Sequence, residues 1–251
     1  MKQGIIHVGT SGWHYSHWVG PFYPEHLPKG EFLAYYTCHF GTVEINNTFY
    51  QLPSLQTLND WRAKTPKDFL FACKGSRFIT HMKKLKEPRQ STGKFFRTIG
   101  VLGKKLGPIL FQLPPRWGIN VTRLEDFLGV LPKKYRIAFE FRDESWFDQT
   151  IYDLLAKHNA AVCLYNLAGR WSPEILTADF VYLRLHGPEG PYQGEYDDKV
   201  LRTRAKKCVQ WSSEGRDVYC YFDNDQKGYA VQNAMKLKQM TRRLMPARLF
   251  I

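Results

Sequence analysis

Residues 180–187 read Phe-Val-Tyr-Leu-Arg-Leu-His-Gly. Val181, Leu183 and Leu185 fall on one parity and Tyr182, Arg184 and His186 on the other, the period-two pattern of a β-strand whose faces meet different surroundings. The same pattern occurs twice upstream. Over residues 42–46, Val43 and Ile45 alternate with Glu44 and Asn46; over 136–142, Ile137, Phe139 and Phe141 alternate with Glu140 and Arg142. Lys74 and Gln112 end two further apolar runs, 69–74 and 108–113, in matching phase. In a barrel, alternate side chains point inward, so this polar set is expected at the carboxyl ends of the strands, where barrel enzymes build their sites.

Apolar runs at 5–9, 160–165 and 218–223 bring the strand count to eight. Helix-like stretches lie between most of them, at 31–39, 55–63, 121–128, 149–158, 199–212 and 230–244. Alternation of strand and helix implies a parallel sheet. No Pro/Gly/Ser-rich linker divides the 251 residues, so the expectation is an α/β fold, one TIM-type (β/α)8 barrel domain over 1–251. The structural alternative is an open doubly wound sheet, but no GxGxxG follows the first strand.

Lys and Arg number 36 against 23 Asp and Glu, a formal net charge of +13, and aromatic residues make up 15%. Such a surface attracts polyanions and excludes a disordered chain. The five cysteines, Cys38, Cys73, Cys163, Cys208 and Cys220, form no CxxC pair, which suits neither a disulfide framework nor a zinc site. The opening MKQGIIHVGTSGW holds too short an apolar run for a signal peptide, and no run approaches the roughly 18 residues of a membrane span. The chain reads as cytoplasmic, with no membrane partner.

Six motifs, GTSGWHYSHWVGPFYP (9–24), TVEINNTFYQLPS (42–54), ILFQLPP (109–115), FEFRDESW (139–146), YLRLHG (182–187) and YFDND (221–225), occur in an order that resembles the domain of unknown function 72 family, the YecE-like proteins. The resemblance runs nearly end to end. It implies a TIM-type barrel and carries no reaction with it. The implied fold is similar to that of endonuclease IV-type and xylose isomerase-like barrels, though this sequence lacks their rich His/Asp/Glu metal set.

From the residues themselves, Glu44 and Glu140 are candidates for an acid and base pair and His186 for proton transfer. Lys74 reads as an anion contact or, if desolvated, a nucleophile or base. Arg142 and Arg184 offer bidentate donors to phosphate or carboxylate oxygens. Asn46, Gln112 and Asn224 would orient a ligand, while Trp13, Tyr50 and Tyr192 offer stacking faces. The rival reading makes the charged set an internal ion network and the aromatics rim packing. A glycine-rich stretch at 186–196 and a stretch at 222–230 that leads into a helix follow the last two strands, where barrels often hold phosphate.

No cofactor motif is present. A divalent metal on Glu44, Glu140, His186 and Asp223 is conceivable and not favoured, so no metal ligand is assigned. The leading expectation is an enzyme with acid/base or hydrolytic chemistry, a phosphodiester hydrolase for example, on an anionic or phosphate-bearing ligand such as DNA or RNA. The alternatives are a non-catalytic nucleic-acid-binding protein and a carbohydrate-acting barrel. The sequence leaves the oligomeric state open.

Overall fold

The computed structural model describes residues 2–245. In chain order its strands are β1 (Ile6–Thr10), β2 (Thr42–Ile45), β3 (Leu70–Lys74), β4 (Leu106–Gln112), β5 (Ile137–Glu140), β6 (Ala161–Leu167), a short β7 (Arg170–Trp171), β8 (Phe180–Leu185) and β9 (Asp217–Phe222). The helices are α1 (Phe32–His39), α2 (Asn47–Tyr50), α3 (Leu55–Ala63), α4 (Pro88–Ile99), α5 (Val121–Val130), α6 (Gln149–Lys157), α7 (Asp198–Ser213) and α8 (Tyr229–Leu244). The strand order is β1-β9-β8-β6-β5-β4-β3-β2, with β7 an antiparallel partner of β6. The fold class is the TIM-type α/β barrel, as the sequence leads one to expect.

The chain divides into two compact units. The first comprises Met1–Val43, Leu164–Ser172 and Asp179–Ile251, the second Glu44–Cys163 and Pro173–Ala178, and the chain passes from one to the other within β2 and β6.

In the first unit β9 pairs in parallel with β1 and with β8, so that Thr10, Phe222 and Leu185 share one level. The ladder continues past the strand ends, where Ser11 N donates to Phe222 O and Asp223 N to Leu185 O, both at 2.8 Å. Ser11, Asp223 and His186 therefore follow at the next level, with Arg184 on the same face one pleat back. Gly9 is required by close approach, since a Cβ there would lie 2.3 Å from Thr42 O. Helix α7 starts where Asp197 accepts from Val200 N.

In the second unit β3 pairs with β4 and β4 with β5, aligning Lys74 with Leu110 and Gln112 with Glu140. A register shift between Phe71 and Cys73 marks an irregularity in β3. Helices α3, α5 and α6 begin at side-chain caps from Ser54, Asn120 and Asp148. The core is aromatic, with Phe111 packed against Phe95, Phe127 and Phe139.

Six helices fall within two residues of the ends read from sequence; α4 does not appear in that reading. Its buried face is Ser91, Thr92, Phe95, Thr98 and Ile99, so hydroxyl side chains hide the apolar period. The β6–β7 hairpin was also unread; its turn uses Ala168 and Gly169, both at positive φ (50° and 75°), as a two-residue primed turn requires.

Candidate functional site

The first unit gathers four polar side chains beyond the ends of β1, β8 and β9. Arg184 NH2 lies 3.1 Å from Asp223 Oδ2 and 3.4 Å from Ser11 Oγ, while its NH1 lies 3.3 Å from His186 Nε2. His186 Nδ1 is 3.1 Å from the same Asp223 Oδ2. A guanidinium only donates, so Nε2 of His186 accepts from Arg184, and Nδ1 carries the proton that Asp223 receives. Arg184 and His186 are buried, at 1% and 0% exposure. Desolvating such groups costs several kcal/mol per ion, and the mutual contacts offset that cost.

The loop 187–196 closes over this cluster. Tyr192 N donates to His186 O at 2.6 Å, and its half-exposed ring stands edge-on to the imidazole, centroids 5.7 Å apart. Gly187, at φ 122°, starts the loop; a Cβ there would lie 2.2 Å from Gln193 O. Tyr196 OH accepts from Gly187 N and donates to Asn166 Oδ1, both at 2.8 Å. Burial raises its phenol pKa above the usual range.

Asn224 braces the same loop. Its Nδ2 donates to Gly194 O and Asn233 Oδ1, each at 2.9 Å, while the buried Oδ1 has no hydrogen-bond partner among the described residues. Such an acceptor suits a ligand or water donor. Trp13 is buried and stacks on His14 at 3.9 Å, with its carbonyl accepting from Tyr23 OH. It packs the loop after β1.

A second carboxylate lies beside this cluster. Asp225 Oδ1 accepts from Trp18 Nε1 at 2.6 Å and Oδ2 lies 3.0 Å from His17 Nε2. Burial pushes its pKa up to about 6, with Asp223 adding to the rise and Trp18 and His17 opposing it.

The second unit holds the remaining candidates. Glu140 is fully buried; Arg142 pairs with its Oε1, and Cys163 Sγ lies 3.8 Å from its Oε2. Gln112, half-buried, is its register partner on β4. Glu44 is buried on β2, and after burial itself its charge is what raises the Cys73 thiol pKa. Lys74 Nζ lies 4.4 Å over the Phe49 ring. His81 stands edge-on to the same ring at 5.0 Å, its pKa lowered to about 4 by burial, then by Lys74 and Arg77. Asn46 stands at the N-cap position of α2 without a side-chain capping bond, and Tyr50, at the end of that helix, is 79% exposed.

The structure thus brings Arg184, His186 and Tyr192 together in one unit and Glu140 with Arg142 in the other. The sequence offers Asp223 only as a conceivable and unfavoured metal ligand, and Ser11 and Asp225 are not among its site candidates. A strand-end register count would have found the first two, because both continue a paired ladder by one residue. Asp225 meets Trp18 across 207 residues, beyond any local pattern. Among the described residues no group of three or more His, Cys, Asp and Glu side chains converges for a metal, and no helix is long and apolar enough to cross a membrane.

A family model described as "Protein of unknown function DUF72" matches residues 7–248. The UPF0759 protein YunF of Bacillus subtilis is 26% identical over 275 aligned positions, spanning 94% of each chain. A DUF72 family protein of Thermotoga maritima has a similar crystal structure, with a TM-score of 0.86 at 32% identity over 95% of this chain and 99% of that one. A DUF72 family protein of Enterococcus faecalis reaches a TM-score of 0.81 at 18% identity over 98% and 100% of the two chains, a likeness of fold alone. By the family match and by the Thermotoga likeness, the chain belongs to the DUF72 family.

Proposed function

We propose that this protein is a hydrolase for a phosphate-bearing ligand, nucleic acid foremost, and that its chemistry is carried by the cluster at the ends of β1, β8 and β9. The observation behind the reading is the buried guanidinium of Arg184, held by Asp223, His186 and Ser11 at the strand ends where barrels do their chemistry. A leucine would pack that position at lower cost, so a charge there argues for a task.

In this reading Arg184 takes an anionic oxygen of the ligand in place of its contact with His186 Nε2. The freed nitrogen then accepts a proton from the water whose oxygen bonds to phosphorus, Asp223, bonded to Nδ1, stabilises the imidazolium that forms, and the proton passes to the alcohol oxygen that leaves as its P–O bond breaks. Tyr192 flanks the imidazole and offers a stacking face. Glu140 is compensated by Arg142 within the second unit and is read as a structural ion pair with no part in this chemistry.

A non-catalytic nucleic-acid-binding protein is the second reading, favoured by the internal partners that both Arg142 and Arg184 already have. The two separate in one assay. With bis(p-nitrophenyl) phosphate and a single-stranded oligonucleotide as probes, the hydrolase reading expects wild-type turnover and a loss of about 100-fold or more in Arg184→Lys, which keeps the charge and loses the fork. Equal rates in the two proteins, both folded by circular dichroism, defeat it, as does the absence of any turnover.

A further inference from the structure

The positive charge of this chain is not spread evenly. Residues 62–105 contain 13 Lys and Arg against two acidic residues, Asp68 and Glu87, so this stretch accounts for +11 of the overall +13. The whole stretch lies in the second unit. A few of its cations are used internally. Arg62 NH1 donates to Val101 O at 2.8 Å, Lys105 Nζ caps carbonyls of Arg62 and Thr65, Lys83 pairs with Glu87, and Lys74 lies over Phe49. Arg77, Lys84, Lys86, Arg89, Lys94 and Arg97 are exposed instead, and of the six Lys86 has a carboxylate, Glu87, within electrostatic reach.

Two elements present these six. One is the turn between β3 and α4, a π-helical turn Phe78–Met82 followed by Lys84, Leu85 and Glu87 at positive φ (47°, 63° and 49°). Three such non-glycine residues in four positions are strained, and the arrangement persists because Leu85 is buried and its N–H bonds Ile79 O at 3.0 Å. The anchored leucine turns Lys84 and Lys86 outward on either side. The other element is α4, whose Lys94 and Arg97 line one wall of a groove of about 640 Å³; residues 51–55 form the opposite wall.

Residues 51–54 also border a neighbouring groove of about 400 Å³ that Tyr50 and Trp61 line. Tyr50 and Phe78 are exposed at 79% and 43%, large apolar rings that packing leaves in solvent. Exposed cations beside exposed aromatic faces are what a flexible polyanion with planar bases requires, because phosphates meet the charges and bases stack.

We propose that this face of the second unit is a tracking surface for single-stranded nucleic acid, with Lys84, Lys86, Lys94 and Arg97 on phosphates and Tyr50 and Phe78 on bases. It rests on the reading of a nucleic-acid ligand given above, but not on catalysis.

Fluorescence anisotropy with labelled 20-nucleotide single strands, RNA and DNA in separate arms, tests it across salt concentrations. Wild-type protein is expected to bind at least one of the two, with log affinity falling linearly in log salt. Lys94→Glu/Arg97→Glu should weaken binding tenfold or more and flatten the salt slope by about 1.4, two phosphate contacts at roughly 0.7 each. Tyr50→Ala should weaken it about tenfold with the slope unchanged. The control Lys206→Glu/Arg243→Glu reverses equal charge on a groove between α7 and α8 in the first unit and should leave affinity within twofold.

Equal losses in the test and control variants would mean diffuse attraction and overturn the surface, as would no measurable binding at low salt. All variants are checked for a wild-type melting transition, and Lys84→Ala/Lys86→Ala gives a second reading should the glutamate pair fail to fold. Anisotropy needs no turnover, so a protein that cleaves nothing can still satisfy this proposal. An active protein that ignores strands defeats this surface alone.

Discussion

His186 Nδ1 and Asp223 Oδ2 lie 3.1 Å apart, and Asp223 also accepts from Arg184 through that same oxygen. One carboxylate oxygen therefore fixes both the tautomer of the imidazole and the position of the guanidinium. Replacing it should be felt as a stability change before any functional one. Asp223→Asn removes the counter-charge of a buried cation and should cost on the order of 3 kcal/mol in urea unfolding. A loss under about 0.5 kcal/mol would mean that the pair is solvated and easily replaced.

Asp225 gives the protein a recognisable pH response. Its pKa is raised to about 6 by burial first, so the folded chain takes up a proton between about pH 6 and 4 that the unfolded chain does not. This group therefore stabilises the fold on acidification and costs stability as pH rises through 6, by up to about 3 kcal/mol. Urea unfolding at pH 4.5 and 7.5 should show that the difference between wild type and Asp225→Asn changes in this direction. A difference that stays flat across the range contradicts the raised carboxylate.

His81 should titrate far below an ordinary imidazole, with a midpoint near 4 set by burial and by Lys74 and Arg77. Its ring proton shifts in NMR report this directly. Lys74→Met should raise the midpoint, since one of the two cations facing it is removed, whereas an unchanged midpoint would show that Lys74 does not reach the ring.

Gly187 holds the loop that carries Tyr192 to His186, at φ 122° with Gln193 O where a Cβ would stand. Gly187→Ala should destabilise the fold by more than about 1 kcal/mol and expose the imidazole. Wild-type unfolding of this variant would contradict the described turn.

Thiol chemistry checks the burial pattern. Cys38 is exposed, while Cys73, Cys163, Cys208 and Cys220 are buried. Burial raises the Cys208 thiol to about 12, and it raises Cys73 and Cys220 as well. Native protein should react with one equivalent of a thiol reagent at pH 8 and denatured protein with five. Fast reaction of more than one would place a second cysteine at the surface.

How much of this was legible in the sequence follows from the range over which each signal acts. The alternation over 180–186 and 136–142 located Arg184, His186, Glu140 and Arg142 because parity along a strand is a local property. Helix α4 was invisible for an equally local reason, its inward face being Ser91, Thr92 and Thr98 rather than aliphatic. Which charge meets which is a matter of register between strands. Arg184 spans to Asp223, 39 residues on, and to Ser11, 173 residues back, and no window of sequence holds those pairs. The crowding of charge into 62–105 is countable from sequence, whereas the whole-chain excess of +13 does not locate it.

The central claim is that Arg184 holds a phosphate-bearing ligand beside the His186–Asp223 pair. Native mass spectrometry with organic-phosphate analysis, on wild type and Arg184→Lys purified in parallel at low salt, tests it most directly. The expected result is a phosphate-bearing adduct on wild-type protein that is lost or reduced at least tenfold in the variant. An uncharged adduct on the wild type, or a phosphate-bearing one retained equally by both proteins, would contradict the account.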